Sequence, residues 1–115
     1  MLSKLISKIL QKFFKPTGLE KEILYTIGYY WLQHNNFNYE ETYKTIDSIG
    51  IKHLKIFGNR IYIVLDRPGI FIGLKGKDIN AIEDMLYQNT EKQLKFYIIE
   101  DKITNYLYPM ELDLY

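Results

Sequence analysis

Near its start the chain places apolar side chains at Leu2, Leu5, Ile6, Ile9, Leu10, Phe13 and Phe14. Steps of three and four residues put these on one stripe, which predicts an amphipathic helix over 1–16 that Pro16 and Gly18 end. A second helix is expected from about Leu19 to His34, with Ile23, Leu24, Ile27, Tyr30 and Trp31 as its inner stripe. Tyr25, Tyr29 and Tyr30 share helical spacing and are expected in the core. The polar run Gln33–Asn38 interrupts this pattern, and 39–47 reads as a further short helix.

The period then changes. Ile51–Phe57 and Ile61–Leu65 flank Gly58-Asn59-Arg60, a short turn whose residues tolerate positive φ, so the expectation is an antiparallel hairpin. The second strand is apolar at every position, which predicts burial on both of its faces. If helices cover one face, the other should be covered by the N-terminal helix, the C-terminal segment or a second molecule. Arg67-Pro68-Gly69 follows, with Pro68 suited to the first helical position. One helical turn should reach Gly73. A longer helix is expected from after Gly76 to about Leu86, with Ile79, Ile82, Met85 and Leu86 on one face and Asp78 complementing the dipole in its first turn. Gln93–Ile99 reads as the last strand.

Composition narrows the class. With 115 residues there is room for one compact domain, and 47% hydrophobic residues suffice for a core. Cysteine is absent, so disulfides and thiolate chemistry are excluded, which fits a reducing compartment. No apolar run approaches the roughly 20 residues of a membrane span, and lysines at every fourth position interrupt any secretory signal. A cytoplasmic location is expected. The formal net charge is only +1, yet residues 52–77 hold Lys52, Lys55, Arg60, Arg67, Lys75 and Lys77 against Asp66 alone. Residues 1–15 add Lys4, Lys8, Lys12 and Lys15 with no acid. A basic block on a near-neutral chain implies a confined anion-binding surface.

Within that block, Gly73-Leu74-Lys75-Gly76 joins two helices across four residues. Glycine at both ends lets backbone approach a sugar-phosphate chain without Cβ collisions. The following helix offers amide donors and a positive dipole end to a phosphate, with Lys75 and Lys77 beside it. The stretch Arg67–Ile82, with Pro68-Gly69, Ile70, Ile72, the Gly73-x-x-Gly76 loop, Ile79 and Ile82, resembles the signature of type II KH domains.

The resemblance covers residues of about 18–100. It implies an α+β fold of order αββααβ, with a three-stranded mixed sheet and helices on one face, plus the extra N-terminal helix. It divides the chain into the helix 1–16, a KH-like domain 17–101 and a C-terminal segment 102–115. It further implies non-catalytic binding of single-stranded RNA or DNA, with Gly73, Leu74, Lys75, Gly76, Lys77, Arg67, Ile72, Ile79 and Lys95 as site residues. Bases would lie in an apolar groove lined by Ile72, Ile79, the loop 88–91 and the strand around Lys95 and Tyr97. Leu74 departs from the family pattern, which usually has a basic or polar residue there. The other reading keeps the scaffold as a protein-interaction component without its ligand.

Other chemistries find little support. The glycine spacing is not that of a P-loop, because no Gly lies five residues before Gly76 and Lys77 is followed by Asp78. His34 and His53 lie far apart with no ligand-type neighbours, so no metal site is expected. Adjacent carboxylates such as Glu83-Asp84 lack a nucleophile–base partner, and neither an enzyme nor a cofactor is expected. Residues 1–15 and 109–115, where Met110, Leu112 and Leu114 alternate with Glu111 and Asp113, are expected to engage a protein partner or a second copy. An anionic membrane surface ranks below these for the lysine-bearing helix.

Overall fold

A computed structural model describes residues 18–101. The helix expected over 1–16 and the segment 102–115 lie outside the described residues.

Helix α1 spans Gly18–His34 and buries Ile23, Leu24, Ile27, Trp31 and Leu32. Tyr25 and Tyr29, expected in the core, are 38% and 39% exposed, and Tyr30 is half-buried. Tyr25 and Tyr29 stand two positions beyond Ile23 and Ile27, about 200° around the helix, and so fall off the buried stripe. Helix α2, Tyr39–Ile49, starts at Asn38, whose Oδ1 accepts from the Glu41 amide at 3.0 Å. It buries Thr42, Ile46 and Ile49.

Strands β1 (Ile51–Phe57) and β2 (Arg60–Leu65) form the expected antiparallel hairpin, turning at Gly58 with φ of 61°. Strand β3 (Lys95–Glu100) pairs parallel to β2, giving a mixed sheet of order β1-β2-β3. A parallel partner requires a crossover, and helices α3 (Pro68–Ile72) and α4 (Lys77–Thr90) supply it. From α2 onward the order is helix, strand, strand, helix, helix, strand, and α1 precedes it. The fold is the α+β architecture read from the sequence.

The core lies between the helices and one sheet face. Ile51, Leu54, Ile61, Ile63, Leu65 and Phe96 meet Ile23, Ile27, Ile49, Phe71, Ile82 and Leu86 there. Phe71 is fully buried and meets Phe96 edge-on, ring centroids 5.1 Å apart. Five residues are too few to hold a helix alone, so this ring anchors α3 and fixes where the chain enters the junction beyond it.

For the other sheet face, the cover expected from the N-terminal helix, the C-terminal segment or a second molecule lies outside the described residues. Only alternate residues of β2 are buried, and Tyr62 and Val64 are half-buried. Among the described residues no helix covers that face. An apolar run shows that a strand can be buried on both sides; tertiary context decides whether it is.

Candidate nucleic-acid interface

Between α3 and α4 the chain makes one short 3-10 turn, Leu74–Gly76. Gly73 has φ 79° and ψ 171°, Lys75 φ 56° and ψ 27°, and Gly76 φ 77° and ψ 14°. Three of four residues thus sit at positive φ, a backbone that throws the intervening side chains outward. Leu74 is 83% exposed, and Lys75 and Lys77 are exposed beside it. The Gly76 amide donates to the Gly73 carbonyl at 3.1 Å, and the Lys77 amide to the Leu74 carbonyl, closing the turn.

The two glycines meet different demands. A Cβ on Gly76 would meet only the end of the Asn80 side chain, at 3.3 Å, so its positive φ is the main requirement. A Cβ on Gly73 would lie 2.9 Å from the Asp78 backbone nitrogen and would overlap the Asp78 carboxylate. Asp78 is buried although it lies in the first turn of α4. Its Oδ1 accepts a hydrogen bond from the Tyr30 hydroxyl of α1. Burial first, then this bond and the carboxylate charge, push the Tyr30 hydroxyl pKa up to about 12. Asp78 turns inward, toward Gly73 and Tyr30, while Leu74, Lys75 and Lys77 face solvent.

Gly73, Leu74, Lys75, Gly76 and Lys77 are therefore gathered at one exposed corner. Ile72 and Ile79 flank it, half-buried, with Ile79 also packed against the core. Arg67 is exposed at the opposite end of α3, about 7 Å of helix away. Lys95 opens β3, its ammonium 4.0 Å from Glu83 Oε1, while Glu83 Oε2 accepts from the Phe96 amide at 2.9 Å. Between α4 and the start of β3 runs a cleft of about 120 Å³ lined by Glu83, Asp84, Tyr87, Gln93, Leu94 and Lys95. It shares only Lys95 with the lining expected for the apolar groove. Tyr97 belongs to the outer face of the sheet, stacked on Tyr62.

Sequence reasoning missed the Tyr30–Asp78 bond. An acid directly after Lys77 was a signal for Asp78, but nothing local pointed to a partner 48 residues away. Both histidines are exposed, and among the described residues no group of three or more His, Asp or Glu side chains is placed to hold a metal ion.

A family model described as KH domain matches residues 38–104, from the start of α2 past the end of β3. Helix α1 precedes the matched region. No curated protein and no solved structure matches the chain. KH domains are nucleic-acid-binding modules, generally without catalytic activity, whose Gly-x-x-Gly loop holds the backbone of four nucleotides. The matched span exceeds half of the sequence and contains the whole β1–β3 sheet with the helical crossover and its junction, and the chain belongs to the KH domain family.

Proposed function

We propose that this chain is a non-catalytic adaptor that grips single-stranded nucleic acid, RNA foremost, in the cytoplasm. The observation that carries this reading is the junction 73–76. Its positive-φ backbone holds Leu74 and Lys75 out in solvent at the start of a 14-residue helix, with Lys77 alongside. Lys75, Lys77 and the first turn of α4 would take phosphates, and the exposed Leu74 would lie against a sugar or base. Ile72 and Ile79 would form the apolar floor beside them, and Arg67 would meet the strand further along. The order helix, strand, strand, helix, helix, strand supports the type II arrangement.

Titrating fluorescent single-stranded RNA and DNA pools at two salt concentrations tests this. Two or three phosphates should give a slope of log affinity against log salt of roughly −2. Replacing Leu74 and Lys75 together by Asp should abolish binding at the junction and leave the fold intact, because both side chains are exposed. Asp also tolerates the left-handed backbone at position 75. Affinity that ignores salt, or a double variant that binds like its parent, would exclude the mechanism.

A second reading keeps the scaffold as a protein-interaction component without a nucleic-acid ligand. Two observations favour it: Gly73 is already required by the chain's own Asp78, and the cleft beside Lys95 carries Glu83 and Asp84. On that reading the double Asp variant changes assembly with a protein and nothing else. The assembly contacts expected of 1–15 and 109–115, or of the former with a membrane, fall on residues outside those described.

A further inference from the structure

The basic block 52–77 does not form one surface. Lys75 and Lys77 stand at the junction, whereas Lys55 and Arg60 lie on the sheet, on the face turned away from the helices. Register places three rows of residues on that outer face. Phe57, Arg60 and Lys95 form the first, Lys55, Tyr62 and Tyr97 the second, and His53, Val64 and Ile99 the third. None of the nine is an acid. Phe57 is 60% and Tyr97 43% exposed. The rings are already mutually arranged: Tyr62 stacks on Tyr97 with centroids 5.4 Å apart, and Phe57 meets Tyr62 edge-on at 5.9 Å. The Arg60 guanidinium carbon lies 5.4 Å from the Tyr97 ring centroid, and Arg60 Nη1 reaches the Tyr62 hydroxyl at 3.5 Å.

We infer that this outer sheet face is a second binding surface for single-stranded nucleic acid, separate from the Gly73–Gly76 junction. Bases stack on the exposed rings of Phe57 and Tyr97, and phosphates pair with Arg60 and Lys55. Aromatic rings set among cations on an open sheet hold unstacked bases with little regard for sequence, since every base has a π-face. Charge argues against a second copy of the face and against residues 1–15 as occupant. A second copy of this face would oppose cations to cations, and residues 1–15 bring four more lysines and no acid. Residues 102–115 carry Glu111 and Asp113 against Lys102, which makes them the competing occupant. The inference does not rest on the junction; either surface can fail alone.

The test uses the full chain and a labelled single strand of about 12 nucleotides, long enough for such a surface. Four proteins are compared by fluorescence anisotropy: the parent, Phe57→Ala with Tyr97→Ala, Leu74→Asp with Lys75→Asp, and all four changes together. Loss of the two rings should weaken binding about tenfold in the parent background. It should also remove whatever binding survives in the junction variant. Phe57→Tyr with Tyr97→Phe, which keeps both π-faces, should bind as the parent does. Undiminished affinity of the Phe57→Ala/Tyr97→Ala protein overturns the inference, as does a parent that binds no strand. A ring variant whose melting temperature or sedimentation changes while its affinity stays put also overturns it, because a protein segment then occupies the face. Failure of the junction reading is separate: there the Leu74→Asp/Lys75→Asp protein alone binds normally.

Discussion

The junction 73–76 and the outer face of the sheet are both exposed and both basic, but they achieve it by opposite means. At the junction, backbone conformation does the work: positive φ at Gly73, Lys75 and Gly76 aims Leu74 and Lys75 outward, and Asp78 holds the turn from beneath. On the sheet the backbone is ordinary, and strand register alone brings Phe57, Arg60, Tyr62 and Tyr97 together. A surface made by a rare backbone should break when one backbone atom is disturbed. A surface made by side chains on a regular strand should erode one contact at a time.

The sharpest test of that contrast is Gly73→Ala. The new Cβ would meet the Asp78 carboxylate and lie 2.9 Å from the Asp78 nitrogen, in a region of φ and ψ that side chains avoid. Backbone strain and overlap together should cost about 3–4 kcal/mol. Gly76→Ala has positive φ but meets only the end of the Asn80 side chain, at 3.3 Å, and should cost about 1–2 kcal/mol. Urea unfolding of the two variants measures both. Equal losses would show that Asp78 does not brace the junction.

Tyr30→Phe comes next. It removes the donor to a buried carboxylate and should destabilise by about 1–3 kcal/mol. It also has a pH signature. A tyrosine whose folded pKa lies near 12, above its unfolded value of 10, keeps its proton longer when folded. Its contribution to stability is therefore complete below pH 10 and disappears as pH rises through about 12. Unfolding midpoints at pH 8 and pH 11, on the scale set by that pKa of about 12, should converge between parent and Tyr30→Phe. A gap that stays constant would mean Asp78 does not depend on this hydroxyl.

Much of this was legible along the chain, and the gaps have physical causes. The turn Gly58-Asn59-Arg60 and Pro68 ahead of the glycine pair are local signals, and the hairpin and the two-helix crossover follow from them. Ile23, Leu24, Ile27 and Trp31 marked the inner side of α1 because helical spacing is also local. What escaped was set by tertiary pairing. The hairpin brings Phe57 to Tyr62, but Tyr97 becomes a neighbour of Tyr62 only once β3 docks in parallel register on β2, and no periodicity in either strand encodes that. Burial of Leu54, Ile61 and Ile63 against the helices turns Lys55 and Arg60 to the other face, so a basic block continuous in sequence is divided in space.

Lys95→Ala should have the smallest effect, and it separates the two surfaces most finely. Lys95 shares the outer row with Phe57 and Arg60, yet its ammonium turns to Glu83 at the sheet edge. With its side chain 68% exposed, that ion pair is worth well under about 1 kcal/mol. Glu83 keeps its hydrogen bond from the Phe96 amide after the substitution, so the fold should hold. Removing Lys95 deletes one cation but also unmasks one carboxylate beside the acidic cleft. A strand held only at the junction would register neither change. A strand lying across the sheet would register both, as a loss of roughly threefold and a salt slope shallower by less than about one. Affinity measured at two salt concentrations, with Arg60→Ala alongside, therefore reports which surface the polynucleotide crosses, because Arg60 has no such carboxylate behind it among its described contacts.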